Sequence, residues 1–138
     1  MERVFLTRVF DFSAGHRLFM EGVSEEENFK IFDKCANLQG HGHDYKVELR
    51  VSSEISESTG MVIERSAIEE GVNEIKSSLD YRRIDQEVEY FKKNQSTVEN
   101  IAVYIWSRLS GRFGGALKYV KVWENDRSYF EYYEEEIR

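Results

Sequence analysis

The chain has 138 residues, of which 41% are hydrophobic, and its 19 basic and 26 acidic side chains give a formal net charge of −7. This length suits one compact domain over residues 1–138, and the acidic balance argues against sequence-independent nucleic-acid binding, which needs a basic footprint. No apolar run approaches the roughly 20 residues that span a bilayer, so we expect no membrane segment.

The N-terminal half predicts strands separated by a charged segment. Val4 to Ser13 is rich in β-branched and aromatic residues, as is typical of a strand. Met20 to Lys34 is charged and irregular, which indicates a loop with room for a short helix. From His43 to Ser53 apolar and polar residues alternate as in a strand with one buried face. Gly60 to Glu64, after the turn-like SESTG, predicts a partner strand.

Two amphipathic helices follow in the pattern. Ser66 with Glu69 fits a capping box, and so does Ser96 with Glu99. Apolar residues recur at helical spacing after each box: Ile68, Val72, Ile75 and Leu79 in the first helix, and Val98, Ala102, Ile105 and Leu109 in the second. The connection of about fifteen residues between the helices is longer than usual, which indicates a functional segment.

The C-terminal segment predicts a hairpin. Leu117 to Glu124 and Ser128 to Glu134 read as its strands around a turn at Asn125-Asp126. Strands, two helices and then strands indicate an α+β domain with an antiparallel sheet. Such a sheet has open edges, and pairing with copies of itself is one way to cover them, so we expect an oligomer.

Two of the three histidines lie in the stretch KCANLQGHGHDYKVELRV. His41 and His43 are two residues apart, so on a strand they point to the same side, which is also the apolar side that carries Tyr45. Buried imidazoles need a hydrogen bond or a metal, and His16, just past the first predicted strand, can join them. Three neutral imidazoles and an open position make a catalytic zinc site. The alternative is a surface pair, or a core pair satisfied by hydrogen bonds.

Cys35 is the only cysteine in the chain, so it cannot form an internal disulfide; this favours a reducing compartment and a cytoplasmic location. A lone cysteine is commonly a small buried hydrophobic residue. Lys34 beside it, and a nearby divalent cation, would favour the thiolate and make it reactive; it can also serve as a zinc ligand. Glu124 ends the apolar face of a predicted strand and needs hydrogen-bond donors there, unless it is simply solvated.

Several segments of the chain resemble the 6-pyruvoyl-tetrahydropterin synthase family. They are FDFSAGHRL, SEEENFKIFDKCANLQGHGHDYKVEL, TGMVIE, LDYRRIDQEVEYF, STVENIAVYIW and YVKVWEN. The spacing of Cys, five residues, then His-Gly-His looks like the pyruvoyl-forming branch. The related 6-carboxytetrahydropterin synthases usually have a shorter spacing.

The resemblance implies a tunnelling fold, in which a four-stranded antiparallel sheet with two helices on one face assembles into barrels. Two trimers would form a homohexamer with active sites between subunits. The implied enzyme is a zinc-dependent lyase of tetrahydrobiopterin biosynthesis. It would convert 7,8-dihydroneopterin triphosphate to 6-pyruvoyl-tetrahydropterin with elimination of triphosphate.

The motifs also imply roles for individual residues. His16, His41 and His43 would hold Zn²⁺, and Cys35 would accept a side-chain proton. The residues that would bind the pterin are Glu124, Thr97 and Glu99, the last two from a neighbouring subunit. Cations near the motif, Arg17, Lys30 and Lys34, are candidates for the triphosphate.

One position departs from the family pattern. Family members have Asp-His after the first helix, as a proton relay with the cysteine, whereas this chain has Asp80-Tyr81. An imidazole titrates near neutral pH, but a phenol has an ordinary pKa of about 10. Three outcomes stay open at this position: a slower synthase, a synthase in which Tyr81 donates the proton instead, or an altered product. Two alternatives to the synthase therefore remain, namely an enzyme that cleaves or remodels a dihydropterin side chain and a non-catalytic pterin- or zinc-binding protein.

Overall fold

A computed structural model describes residues 3–134 of the chain. The strands are β1 (Arg3–His16), β2 (His41–Glu54), β3 (Arg82–Arg83), β4 (Leu117–Asn125) and β5 (Ser128–Tyr132). The α-helices are α1 (Glu25–Phe32), α2 (Arg65–Leu79), α3 (Ile84–Glu87), α4 (Glu89–Lys93) and α5 (Val98–Leu109), and a 3₁₀ helix (Asp33–Ala36) follows α1. In this part of the chain, no helix combines the length and the apolarity that crossing a bilayer requires.

The strands form one sheet in the order β3-β1-β2-β4-β5. Antiparallel pairing joins β1 to β2 along their whole length, from Arg3 opposite Glu54 to His16 opposite His41. The predicted α+β class is confirmed, and β1, β2, β4 and β5 are the four antiparallel strands. The sheet is nevertheless mixed and five-stranded, because the two-residue β3 adds to the edge of β1 in parallel.

One face of the sheet carries both long helices. The inward side chains of β2, which include Tyr45, Val47 and Leu49, are fully buried. They share one hydrophobic core with the apolar stripes of α2 and α5, and that core contains every apolar residue that the helical spacing picked out. Since full burial of each large apolar side chain is worth roughly 1.5–3 kcal/mol, this layer fixes the sheet that positions the histidines.

Two expectations about local structure are wrong or incomplete. Residues 60–64 form no strand; the Ser53 hydroxyl donates to the Val62 carbonyl at 2.7 Å, so a side chain anchors this segment instead of a ladder. The charged segment 20–34 is largely helical, because Ser24 caps α1 by accepting from the Glu27 amide at 3.1 Å.

Both predicted capping boxes are also wrong. The N-cap of α2 is Glu64, which makes no side-chain capping bond, so Ser66 lies inside the first turn. The N-cap of α5 is Thr97, whose hydroxyl accepts from the Asn100 amide at 3.3 Å. The cap lies one residue after the predicted Ser96, because the Ser96 side chain is buried beside the His16 ring.

Candidate metal and catalytic site

The candidate site forms where β1 and β2 end together. Their register places His16 directly opposite His41, and His43 lies two residues along β2. The chain between the two strands contributes Cys35 through its 3₁₀ helix. Strand pairing therefore brings residues that are far apart in sequence to one corner of the sheet.

The side chains of His16, His41, His43 and Cys35 converge. One ligand atom from each lies within 4.8 Å of the others. The Cys35 Sγ atom is 3.3 Å from His41 Nε2 and 3.9 Å from His43 Nε2, and these two nitrogens are 2.7 Å apart. Two imidazole nitrogens this close need a proton or a cation between them, and this donor set of imidazoles and a thiol suits zinc.

His16 has the hydrogen bonding of a metal ligand. Its ring is fully buried, and its Nδ1 atom lies 2.8 Å from the Ser96 carbonyl oxygen. Because a carbonyl only accepts, Nδ1 carries the proton and Nε2 presents a lone pair. Nε2 is buried without a hydrogen-bond partner among the described residues. An orphaned acceptor that faces two other imidazoles fits a bound cation.

The electrostatics keep two of the imidazoles neutral. Burial lowers the pKa of His16, against the opposing effect of the Ser96 hydrogen bond. Burial also lowers the pKa of His43 to about 4, with the neighbouring His41 and Lys34 acting in the same direction. The neutral imidazole is the form that binds metals.

Cys35 differs from expectation in its electrostatics. Burial raises the pKa of its thiol, and the negative charges of Glu124 and Asp33 raise it further. Lys34 lowers it, as the sequence suggested, but is the weaker influence. The protein groups alone therefore favour the thiol, and a divalent cation bound in the cluster would favour the thiolate.

A cavity of about 540 Å³ opens beside the cluster. Cys35, His41, His43, Lys34 and Glu124 are among the residues that line it. The Glu124 Oε1 atom is 3.8 Å from His43 Nε2, so its carboxylate faces the same space as the thiol. A half-buried carboxylate at a cavity wall can accept two hydrogen bonds from one planar ligand.

The two other cations predicted to bind the triphosphate, Arg17 and Lys30, make contacts away from this cavity. The Arg17 guanidinium donates from Nε to the Ala36 carbonyl at 3.1 Å and stacks on the Phe19 ring. Lys30 pairs with Glu27 on the exposed surface of α1. Of the three candidates for the triphosphate, Lys34 alone lines the cavity.

The candidate relay pair lies outside this cavity. The Asp80 carboxylate accepts from the Ser13 amide at 2.9 Å, and Tyr81 is 87% exposed. Tyr81 lines a different, shallow cavity, which shares Gly42 and His43 with the first. Within one chain the structure does not bring Asp80 or Tyr81 to Cys35.

Thr97 and Glu99, the two other residues predicted to bind the pterin, do not line the cavity either. Thr97 caps α5, and Glu99 is exposed in the first turn of that helix. Sequence reasoning missed Ser96, whose backbone carbonyl orients His16. Every residue has a carbonyl, so residue identity held no signal for this contact.

Fold and site together define a small α+β protein in which three imidazoles and a thiol, a set that could hold a metal ion, lie beside an open cavity. The chain belongs to the 6-pyruvoyl tetrahydropterin synthase family, whose model matches residues 5–135. The predicted membership is confirmed, and with it the prediction that the chain is an enzyme.

Three comparisons document this. The human 6-pyruvoyl tetrahydrobiopterin synthase is 43% identical over 129 residues, which cover 92% of this chain and 89% of the human one. The Drosophila melanogaster protein of the same name is 42% identical, covering 93% and 78%. The structure of the Caenorhabditis elegans 6-pyruvoyl tetrahydropterin synthase is similar with a TM-score of 0.90 at 34% identity, covering 98% of each chain.

Proposed function

We propose that the protein is a zinc-dependent lyase that converts 7,8-dihydroneopterin triphosphate to 6-pyruvoyl-tetrahydropterin with elimination of triphosphate. The observation that carries the proposal is the convergence of His16, His41, His43 and Cys35 within 4.8 Å at a cavity that Glu124 also lines. Relatives that cover most of the chain carry the name of this synthase.

His16, His41 and His43 are the ligands that we assign to zinc. Neutral imidazoles suit this ion, and a catalytic site keeps a position open beside three protein ligands. When bound there, zinc supplies Lewis-acid polarisation of the substrate's side-chain oxygens. The Ser96 carbonyl holds His16 in the tautomer that leaves Nε2 free.

The other residues have separate tasks in this scheme. The Cys35 thiolate takes a proton from the substrate side chain as general base. The Glu124 carboxylate accepts hydrogen bonds from the amino group and a ring N–H of the pterin, which orients the side chain toward Cys35. The Asp80-Tyr81 pair of a neighbouring subunit carries the remaining proton transfers, which move side-chain hydrogens to C6 and N5 of the pterin ring, so that the ring gains two hydrogens as the side chain is oxidised. Elimination and internal redistribution of hydrogen need no external oxidant or reductant.

A homohexamer built from two trimers is the assembly that we propose. Two observations support self-association. β3 pairs with Ala14 and Gly15 of β1, and Asp80 and Tyr81 bond to the backbone of Ser13, so residues 3–12 leave an open outer edge within the described part of the chain. Large apolar side chains are exposed on this strand and on β5 at the opposite edge: Val4, Phe5, Leu6, Val9, Tyr129 and Phe130. Pairing of the two edges between copies would close the sheet into a barrel.

The reaction is tested with purified protein and defined metal content. The metal-free protein is loaded with Zn²⁺ and incubated with 7,8-dihydroneopterin triphosphate, and the products are identified by mass spectrometry. We expect release of triphosphate with the three-carbon side chain intact, and loss of turnover when a chelator removes the metal. The Cys35→Ser variant is the matched control; it should bind zinc but lose roughly 10²–10⁴-fold in turnover, as expected for a missing general base.

Other products would decide against the proposal. Loss of side-chain carbons would identify an enzyme that cleaves the dihydropterin side chain, the alternative that Tyr81 raises. Binding of the pterin with neither product would identify a non-catalytic protein. Full turnover in the metal-free protein would refute zinc dependence.

A further inference from the structure

Arg83 contacts the turn that separates Cys35 from His41. β3 places Arg83 beside Gly15, the residue before His16. Its Nη1 atom donates to the Gln39 carbonyl oxygen at 3.1 Å. Its Nε and Nη2 atoms donate to the two carboxylate oxygens of Asp85 at 2.6 Å and 3.3 Å. The guanidinium therefore bridges a short helix on one side and the turn on the other.

The turn itself is packed closely against this guanidinium. Gly40 has φ +73°, and its amide donates to the Asn37 carbonyl at 2.8 Å. A Cβ on Gly40 would lie 2.7 Å from both Arg83 Cζ and the His16 carbonyl oxygen. The backbone just before His41 is thus confined between Arg83 and the end of β1.

Asp85 makes this placement of a cation stable. The side chains of Arg83 and Asp85 are only 25% and 12% exposed. A half-buried guanidinium close to a cation-binding cluster is unfavourable unless a carboxylate neutralises it. The two-bond contact also fixes the guanidinium plane, so Nη1 is aimed at the Gln39 carbonyl oxygen.

We infer that Arg83, held by Asp85, is a positioning residue: it sets the turn 37–40 and thereby the placement of His41 relative to Cys35 for metal binding. The inference rests on the proposed zinc site but makes a separate statement, because it concerns how the metal-free chain is arranged. Arg83 is not one of the four clustered residues, and it does not line the cavity beside Cys35. It acts through the backbone of Gln39 and Gly40.

The test compares Arg83→Ala with Arg82→Ala. Arg82 is the matched control, since it is a neighbouring arginine whose contacts are the Ser77 carbonyl and Glu87, away from the turn. In the metal-free protein, we expect the Gly40 amide to exchange with solvent faster in Arg83→Ala and unchanged in Arg82→Ala. We expect Zn²⁺ affinity, measured by competition with a chromophoric chelator, to fall about 10- to 100-fold in Arg83→Ala only, the effect typical of losing a group that orients a metal ligand.

Two further variants keep the inference open to refutation if Arg83→Ala fails to fold. Asp85→Asn retains the arginine but removes its neutralising partner, and Arg83→Lys retains a charge without the two-bond contact. Both should weaken Zn²⁺ binding by less than Arg83→Ala, with the same order of effects on Gly40 exchange.

The outcomes separate this inference from the proposed function. Unchanged Gly40 exchange and unchanged affinity in the folded Arg83 and Asp85 variants would overturn the positioning role. If the parent protein binds no Zn²⁺, the proposed function fails instead, and the Gly40 exchange rate alone decides whether Arg83 holds the turn. A loss of thermal stability without either effect would mean an ordinary structural ion pair and would also overturn the inference.

Discussion

Tyr81 occupies the position at which the resemblance to the family implies a relay histidine. Its backbone has φ +58°, a left-handed conformation that is uncommon for residues other than glycine, and its ring is 87% exposed. Histidine is enriched several-fold in that region of backbone space, so it can replace Tyr81 without added strain. Substitution of Tyr81 by histidine therefore tests the proton-transfer chemistry with little disturbance of folding.

We predict that Tyr81→His increases the rate of triphosphate elimination. An imidazole titrates near the working pH and can both accept and donate a proton, and a general acid–base group typically contributes ~10²–10⁴-fold. The measurement is kcat for triphosphate release at neutral pH, with urea unfolding to show equal stability. Tyr81→Phe is the partner variant: a loss of rate there would identify the phenol as a working donor. Equal rates in all three proteins would mean that this position takes no part in proton transfer.

At the scale of elements, the sequence predicted what depends on side-chain period and missed what depends on contacts between distant segments. Alternation in β2 and helical spacing in α2 and α5 identified the buried faces, and parity placed His41 and His43 together. The cap of α5 was missed by one residue, because His16 on β1 holds Ser96. No local pattern encodes that contact. Nor does one encode the packing that buries Cys35 and places Glu124 on the same cavity wall, which together raise the pKa of the Cys35 thiol.

The cap positions give a prediction at this scale. Thr97→Ala removes the hydroxyl that accepts from the Asn100 amide, and loss of such a cap costs about 0.5–2 kcal/mol in free energy of unfolding. Ser66 is the other residue for which the sequence predicted a cap. Ser66→Ala should change the free energy of unfolding by less than about 0.5 kcal/mol, because an exposed serine inside a helix tolerates replacement by alanine. Urea unfolding of the metal-free protein at one fixed chain concentration measures both. Thr97→Ser should retain the cap; equal costs for Thr97→Ala and Ser66→Ala would contradict this assignment.

For the whole molecule, the distribution of the candidate residues matters more than any one contact. Cys35 and Glu124 line one cavity, whereas Asp80 is held at Ser13 and does not line that cavity in the same chain. The open outer edge of β1 ends close to the β3 segment that follows Asp80. A second copy that pairs along this edge would bring its own residues toward that end of the sheet, which is why the proposed reaction needs an assembly.

Mixing two inactive variants tests whether sites are shared between chains. Cys35→Ser and Asp80→Asn chains are each inactive in the proposed scheme, and unfolding and refolding them together gives random assemblies. If Cys35 of one chain works with Asp80 of its neighbour, about a quarter of the sites in an equal mixture are intact and activity returns. A mixture of Cys35→Ser with Glu124→Gln should stay inactive, because these two residues line one cavity of the same chain and no mixture restores both.

Native mass spectrometry should show about six times the 16.3 kDa chain mass in every sample. Hexamers without recovery in the first mixture would place the Asp80 function within its own chain, and an active Asp80→Asn protein would remove Asp80 from the mechanism.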